Sequence, residues 1–342
     1  MNSPTNIALT PQAQTERPPL WRSPVEVPLT VRYDAIVLFD HVSKWYGPVI
    51  GVNDVTLELR PGIMGLVGAN GAGKTTLMRL AVGQLRPDLG TVHVHGIAAQ
   101  SARAKLRLGW CPDVDAFYEE MSGRQFVSVM ARLFGFDRRE ARRRADEALD
   151  FVGMNNRIGE STDRPIRGYS KGMRQRIKLA QALVHDPELL ILDEPLSGID
   201  PVGRHDFIAL FHKLAARGKC LLVSSHELEA LEKLTDQVVV MARGRIAAVG
   251  TISRIREMFD DVPLSIRIDC TDRRRLSAAL LELDDVTAIE LGDQGQLTVR
   301  AANPKRFFKE LAGVILEENF DIRHLEILDE SASAVLGYLL AR

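Results

Sequence analysis

Gly68-Ala69-Asn70-Gly71-Ala72-Gly73-Lys74-Thr75-Thr76 has the spacing G-x-x-x-x-G-K-[ST] of a phosphate-binding loop. Glycines let the main chain approach phosphate oxygens and adopt conformations a Cβ would block. A lysine at this point supplies a mobile cation for the β- and γ-phosphates, and the Thr75 hydroxyl is a suitable Mg²⁺ ligand. Further along, Leu189-Leu190-Ile191-Leu192-Asp193-Glu194-Pro195 is an apolar run closed by two carboxylates. In a phosphate-loop protein the first suits Mg²⁺, and the second suits a base that orients or deprotonates water. Lys219 to Ser225 repeats the pattern and closes on an imidazole, His226. These residues together predict a site for a nucleoside triphosphate.

The elements that must hold them are also legible. Ile63 to Val67 is a short apolar run suited to a buried strand, and Thr76 to Val82 has helical spacing. Strand, glycine loop and helix start make a nest of N–H groups at the positive end of a helix dipole. The acids and the imidazole would lie at the carboxyl ends of parallel strands, where ligands of open α/β sheets sit. Gly168-Tyr169-Ser170-Lys171-Gly172-Met173-Arg174-Gln175-Arg176 leads into another helix. Its small polar start reads equally as a plain N-cap or as a second anion site.

Composition bounds the rest. A chain of 342 residues with 45% hydrophobic content suits two domains with proper cores, and a net charge of −1 gives no reason to expect nucleic acid. Cys111, Cys220 and Cys270 are odd in number and far apart, which fits neither a disulfide framework nor a zinc pattern. No apolar run approaches the ~18 residues that span a bilayer. Residues 1–30 hold six of the sixteen prolines and read as a disordered or extended tail, with no signal-peptide pattern.

Several features have bland readings. Ala35 to Phe39 and Val55 to Leu59 alternate like strands, with Lys44-Trp45-Tyr46-Gly47 read as a loop between them. An aromatic there could stack on a purine, but Tyr46 taken alone reads first as a packing residue. His93 and His95 fall on one face of a strand from Gly90 to Gly96 and read as solvated rather than metal-binding. Ser122 reads as an N-cap, and the arginines 138, 139, 142, 143 and 144 are interleaved with Glu140, Asp146 and Glu147 as on a solvated helix. Gln237 to Met241 and Arg245 to Val249 read as a hairpin. From Leu264 onward strand, helix, strand, strand, helix, strand predicts a small ferredoxin-like α+β sandwich. A final helix through Leu336, Leu339 and Leu340 follows.

The order of phosphate loop, Ser-x-Gly helix start, Asp-Glu strand and Ser-His strand, from about Ile36 to Thr251, resembles the ATP-binding subunit of ABC transporters. The wording Tyr169 to Arg176 is similar to the signature variant of export systems whose permease is a separate chain. The resemblance implies an α/β P-loop NTPase fold of the ABC ATPase type, with a mixed sheet core, an antiparallel β subdomain and a helical subdomain near 115–185. It sets the ATP-binding domain at 31–255 and the accessory domain at 261–342.

It also implies roles. Residues 68–76 hold the phosphates of ATP, Thr75 and Asp193 hold Mg²⁺, and Glu194 is the catalytic carboxylate. His226 is the switch residue, and Tyr46 stacks on adenine. Tyr169, Ser170, Lys171, Gly172 and Met173 form the signature facing ATP of a partner subunit, and Asp200 links the two sites. Asp113 stands where the family usually has Gln; a carboxylate there can hold Mg²⁺ or water but donates no hydrogen bond when ionised. The implied partners are a second ATP-binding subunit, identical or not, and a transmembrane permease; Phe117, Tyr118 and the helix after Ser122 read equally as its docking site or as helical core. The chain would then lie at the cytoplasmic face of the membrane. A soluble ABC ATPase acting on ribosomes or DNA is the alternative, disfavoured by the single phosphate loop and the absence of long heptad runs.

Overall fold

A computed structural model describes residues 35–154, 162–257, 264–292 and 296–328. A long hairpin, β1 (Val37–Tyr46) and β2 (Val49–Leu59), joins β4 (Leu89–Val94) and β5 (Ile97–Ala98) in an antiparallel sheet ordered β2-β1-β4-β5. The second sheet is built from β3 (Gly62–Val67), β6 (Leu108–Cys111), β7 (Leu189–Leu192), β8 (Cys220–Ser225), β9 (Gln237–Ala242) and β10 (Arg245–Thr251). Its order is β10-β9-β3-β8-β7-β6, parallel except for the antiparallel edge strand β10.

Every residue of β7 and β8 is buried. β7 is apolar throughout and β8 is apolar through Val223, as expected for a parallel sheet covered on both faces. Alternate side chains feed two cores. Cys220 and Leu222 join Leu77, Met78 and Leu80 of α1 (Lys74–Ala81) and the antiparallel sheet, whereas Leu221 and Val223 face the helices.

The helical part comprises α3 (Gly123–Leu133), α4 (Arg138–Phe151) and α5 (Lys171–Leu183). Ser122 and Gln125 close a capping box at α3, Asp137 caps α4 and Ser170 caps α5. Each supplies the oxygen that an exposed helix N–H lacks, worth about 1 kcal/mol. On α4, Arg143 binds Glu140 and Glu147, and Arg144 binds Glu140 at 2.8 Å, so these two arginines of the cluster are neutralised within the helix. Beyond β7, α6 (Pro201–Ala216) starts on an Asp200 cap whose Oδ1 accepts from Gly203 N.

The C-terminal segment runs β11 (Leu264–Cys270), α9 (Arg273–Leu281), β12 (Val286–Leu291), β13 (Gln296–Ala301), α10 (Pro304–Glu317) and β14 (Ile322–Ile327). Its antiparallel sheet has the order β12-β13-β11-β14, and Ile266, Ile268, Leu276, Leu280, Val299 and Phe307 form a core of its own. The final helix and the proline-rich tail read from the sequence lie outside the described residues.

Two local expectations change. Trp45 and Tyr46 lie in β1 rather than in a loop, because pairing continues to the hairpin tip as Trp45↔Ile50 and Tyr46↔Val49. Gly47 at φ 59 makes the tight turn that allows this. His93 and His95 do not share a strand face: β4 stops at Val94, and His95 stands in the turn at φ 49 with its Nε2 3.1 Å from Glu188 Oε2.

Candidate functional site

The sheet order places four chain segments side by side at the carboxyl end of the parallel strands. The phosphate loop leaves β3, His226 follows β8, and Asp193-Glu194 follow β7. Cys111 is in register with Leu192, so Asp113 stands two residues past the end of β6 as Glu194 does past the end of β7.

The loop itself is forced by close approach. A Cβ on Gly68 would lie 2.5 Å from the Met241 carbonyl oxygen, and one on Gly73, which sits at φ 104, would strike the Gly51 carbonyl. Only glycine fits both points, and α1 begins at once after Gly73. Lys74 is 6% exposed, and its Nζ donates to Gly68 O at 2.6 Å. Burial lowers its pKa from the usual lysine value, opposed by the nearby charges of Glu194 and Asp193. Glu194 Oε1 is 3.9 Å from Nζ.

Thr75 Oγ1 donates to Asp193 Oδ2 at 3.0 Å. The other carboxylate oxygen of Asp193, itself 2% exposed, accepts from Ser224 Oγ at 2.7 Å. Ser224 in turn accepts from Glu194 N at 2.8 Å. Glu194 adopts φ 48, uncommon for a residue with a Cβ, and this turns its side chain back across the strand ends. Its Oε2 lies 2.9 Å from His226 Nδ1. Thr75 and Asp193 give two hard oxygen donors, which fit Mg²⁺. Among the described residues no group of three metal-ligating side chains of the His, Cys, Asp and Glu kinds exists, so phosphate and water would supply the remaining ligands.

The half-exposed ring of Tyr46 lies against Gly51, and its hydroxyl is 3.5 Å from Thr76 Oγ1, beside the start of α1. Ser170 is exposed and Gly172 half-buried at the start of α5. The side chains of Tyr169 and Met173 are buried in the helical core, at 6% and 3% exposure. The Tyr169 hydroxyl accepts from Gly123 N at 3.1 Å, and Arg164 Nη2 contacts Met173 Sδ. Lys171 Nζ lies over Gly198, where a Cβ would collide with it. Asp113 is exposed, and its carbonyl accepts from Lys178.

Phe117 is half-buried and packs edge-on against Phe126 at 5.2 Å, whereas Tyr118 is 63% exposed. Sequence reasoning missed Ser224. The only signal was its place in the Ser-Ser-His strand end, whose role depends on β8 lying beside β7.

The ABC transporter family profile matches residues 52–197. The daunorubicin resistance ATP-binding protein DrrA3 of Streptomyces coeruleorubidus is 34% identical over 74% of this chain and 80% of its own length. The Nod factor export ATP-binding protein I of Burkholderia orbicola is 36% identical over 62% of this chain and 69% of its own. Other curated relatives are matched over 62% of their length. Among solved structures, the ATP binding subunit of an ABC transporter superposes with TM-score 0.58 at 27% identity, covering 66% of this chain and 93% of that one.

Proposed function

Because the chain belongs to the ABC transporter ATP-binding protein family, we propose that it is the ATP-hydrolysing subunit of an exporter, working at the cytoplasmic face of a membrane beneath a separate permease. No described helix is long and apolar enough to cross a bilayer, so in this reading the permease supplies the membrane contact. Two ATP-binding subunits, identical or not, enclose the nucleotides. The ATP-binding domain spans 31–255, and the accessory unit at 261–342, read as ferredoxin-like from its element order, supports or regulates the dimer.

One observation carries the proposal: Lys74, the Thr75–Asp193 pair and the Glu194–His226 pair converge at the carboxyl ends of β3, β7 and β8. The amides of residues 68–76 and Lys74 take the phosphates, and Tyr46 takes the adenine. Mg²⁺ held by Thr75 and Asp193 would offset charge on the β- and γ-phosphates. Glu194 orients the attacking water in line with the γ-phosphate, and His226 holds the Glu194 carboxylate and meets the phosphate. Catalysis is then positioning plus charge neutralisation. Ser170 and Gly172, with Asp200, face the nucleotide of the partner subunit. Tyr118 and the start of α3 receive the permease.

Phosphate release by the purified chain, alone and with its co-expressed membrane partner, tests the reading. MgATP-dependent, saturable release is expected; no saturable MgATP uptake in either preparation would overturn it. A soluble ABC ATPase acting on ribosome or nucleic acid gains no support from the Nod factor export and daunorubicin resistance relatives.

A further inference from the structure

Helix α5, capped by Ser170, carries two cations one turn apart that reach the segment following β6. Arg174 grips both oxygens of Glu119, at 2.7 and 2.8 Å. One turn further, Lys178 is only 5% exposed. Its Nζ donates to the main-chain carbonyl of Asp113 at 2.9 Å and lies 3.0 Å from Asp115 Oδ1. A buried ammonium needs a counter-charge and acceptors for its protons; Asp115 supplies the first and Asp113 contributes the second. The same end of α5 touches β6 again, where Gln175 Nε2 contacts Cys111 Sγ at 3.7 Å. Asp113 follows β6 and Glu194 follows the neighbouring strand β7; the last paired residues of the two strands are Cys111 and Leu192.

We infer that Lys178 is a positioning residue for ATP hydrolysis, fixing the main chain at Asp113 to the attitude of the helix that Ser170 caps. The inference rests on the reading that Asp113, standing where the family usually has Gln, can hold Mg²⁺ or water at the nucleotide site. An α-helix rises 1.5 Å per residue, so the Ser170 and Lys178 levels of α5 are about 12 Å apart on one stiff rod. A shift of α5 when Ser170 meets a partner's nucleotide is thereby delivered to Asp113 through the Nζ–carbonyl bond. Hydrophobic packing alone would not require a buried cation at this spot; an apolar residue of similar length would fill it.

The test is a double-mutant cycle on ATP turnover by the full chain with its co-expressed membrane partner. Lys178→Met is expected to lower kcat about tenfold through misplacement of Asp113, with KM for MgATP held within about twofold. Lys178→Arg should recover part of the loss. Because Lys178 acts through Asp113, Lys178→Met combined with Asp113→Ala should fall no further than the worse single variant. Multiplying losses, or a lowered melting temperature with kcat unchanged, would overturn the inference. If Asp113→Ala alone leaves kcat unchanged, the role of Asp113 fails first. If Asp113→Ala lowers kcat and Lys178→Met does not, the positioning role alone fails. Should Lys178→Met not fold, Asp115→Asn removes the counter-charge and enters the same cycle, with the same non-additivity expected.

Discussion

Ser224 Oγ donates to Asp193 Oδ1 at 2.7 Å while accepting from the N–H of Glu194 at 2.8 Å. One buried hydroxyl on β8 therefore sets the orientation of the acid proposed to hold Mg²⁺ and the backbone of the acid proposed to align water. Residues behind a metal ligand typically change affinity about 10–100-fold when removed. Ser224→Ala should raise the Mg²⁺ concentration for half-maximal turnover by roughly that range, read from a Mg²⁺ titration at saturating ATP. Ser224→Thr should retain most of the function, since the hydroxyl survives. An unchanged Mg²⁺ dependence in the alanine variant would refute the link.

Glu194→Gln keeps the side-chain shape and the φ 48 backbone but removes the carboxylate. ATP binding should persist while turnover falls by about 10²–10⁴, the usual range for a lost general base. Size exclusion with MgATP should then show an accumulated dimer. Near-normal steady-state hydrolysis would remove Glu194 from its proposed role.

Lys74→Ala removes a buried cation from the loop. Hydrogen bonds to charged groups contribute about 1.5–3 kcal/mol, which converts to roughly a 10–100-fold weaker affinity. Equilibrium binding of a fluorescent ATP analogue measures it directly.

Asp113→Gln restores an amide donor at an exposed position and should leave ATP affinity unaltered. A drop in affinity would show that the carboxylate binds nucleotide or cation itself.

His185 gives a pH dependence. Its ring stacks on Phe134 with centroids 3.7 Å apart, and Nε2 faces Leu108 O at 3.0 Å, so Nε2 carries the proton. Among the described residues Nδ1 is buried with no partner. Burial pushes the pKa down from 6.5 to about 4. Between those values the unfolded chain binds a proton that the folded chain rejects. Stability is therefore full above pH ~6.5 and falls as pH drops toward 4, by about 3 kcal/mol in all. Urea unfolding at pH 7 and pH 4.5 should show the slope. His185→Phe should flatten it, after a uniform loss of ~1 kcal/mol for the missing bond to Leu108.

Much of the site was legible because local spacing encodes it. The phosphate loop, the Asp193-Glu194 strand end and His226 each sit where a strand stops, and a strand end is visible in six residues of sequence. The pairs that tie these points together were not visible. Ser224 lies 31 residues from Asp193, and Lys178 lies 65 from Asp113. Both contacts depend on which strand neighbours which, and hydrophobic pattern says only that each strand is buried. Tyr169 shows the converse limit: a motif identifies a position, and burial decides which way its side chain turns.

The insertion of β8 between β3 and β7, with β9 on the other side of β3, has a consequence for synthesis. The strand that launches the phosphate loop finds both neighbours only among residues more than 150 positions later. A ribosome-bound chain thus carries its glycine loop long before any companion strand exists to brace it, and contacts so distant in sequence close slowly. Nucleotide competence should arrive abruptly and late, when Met241 clears the exit tunnel, and until then the half-made sheet presents open strand edges for a chaperone to shield.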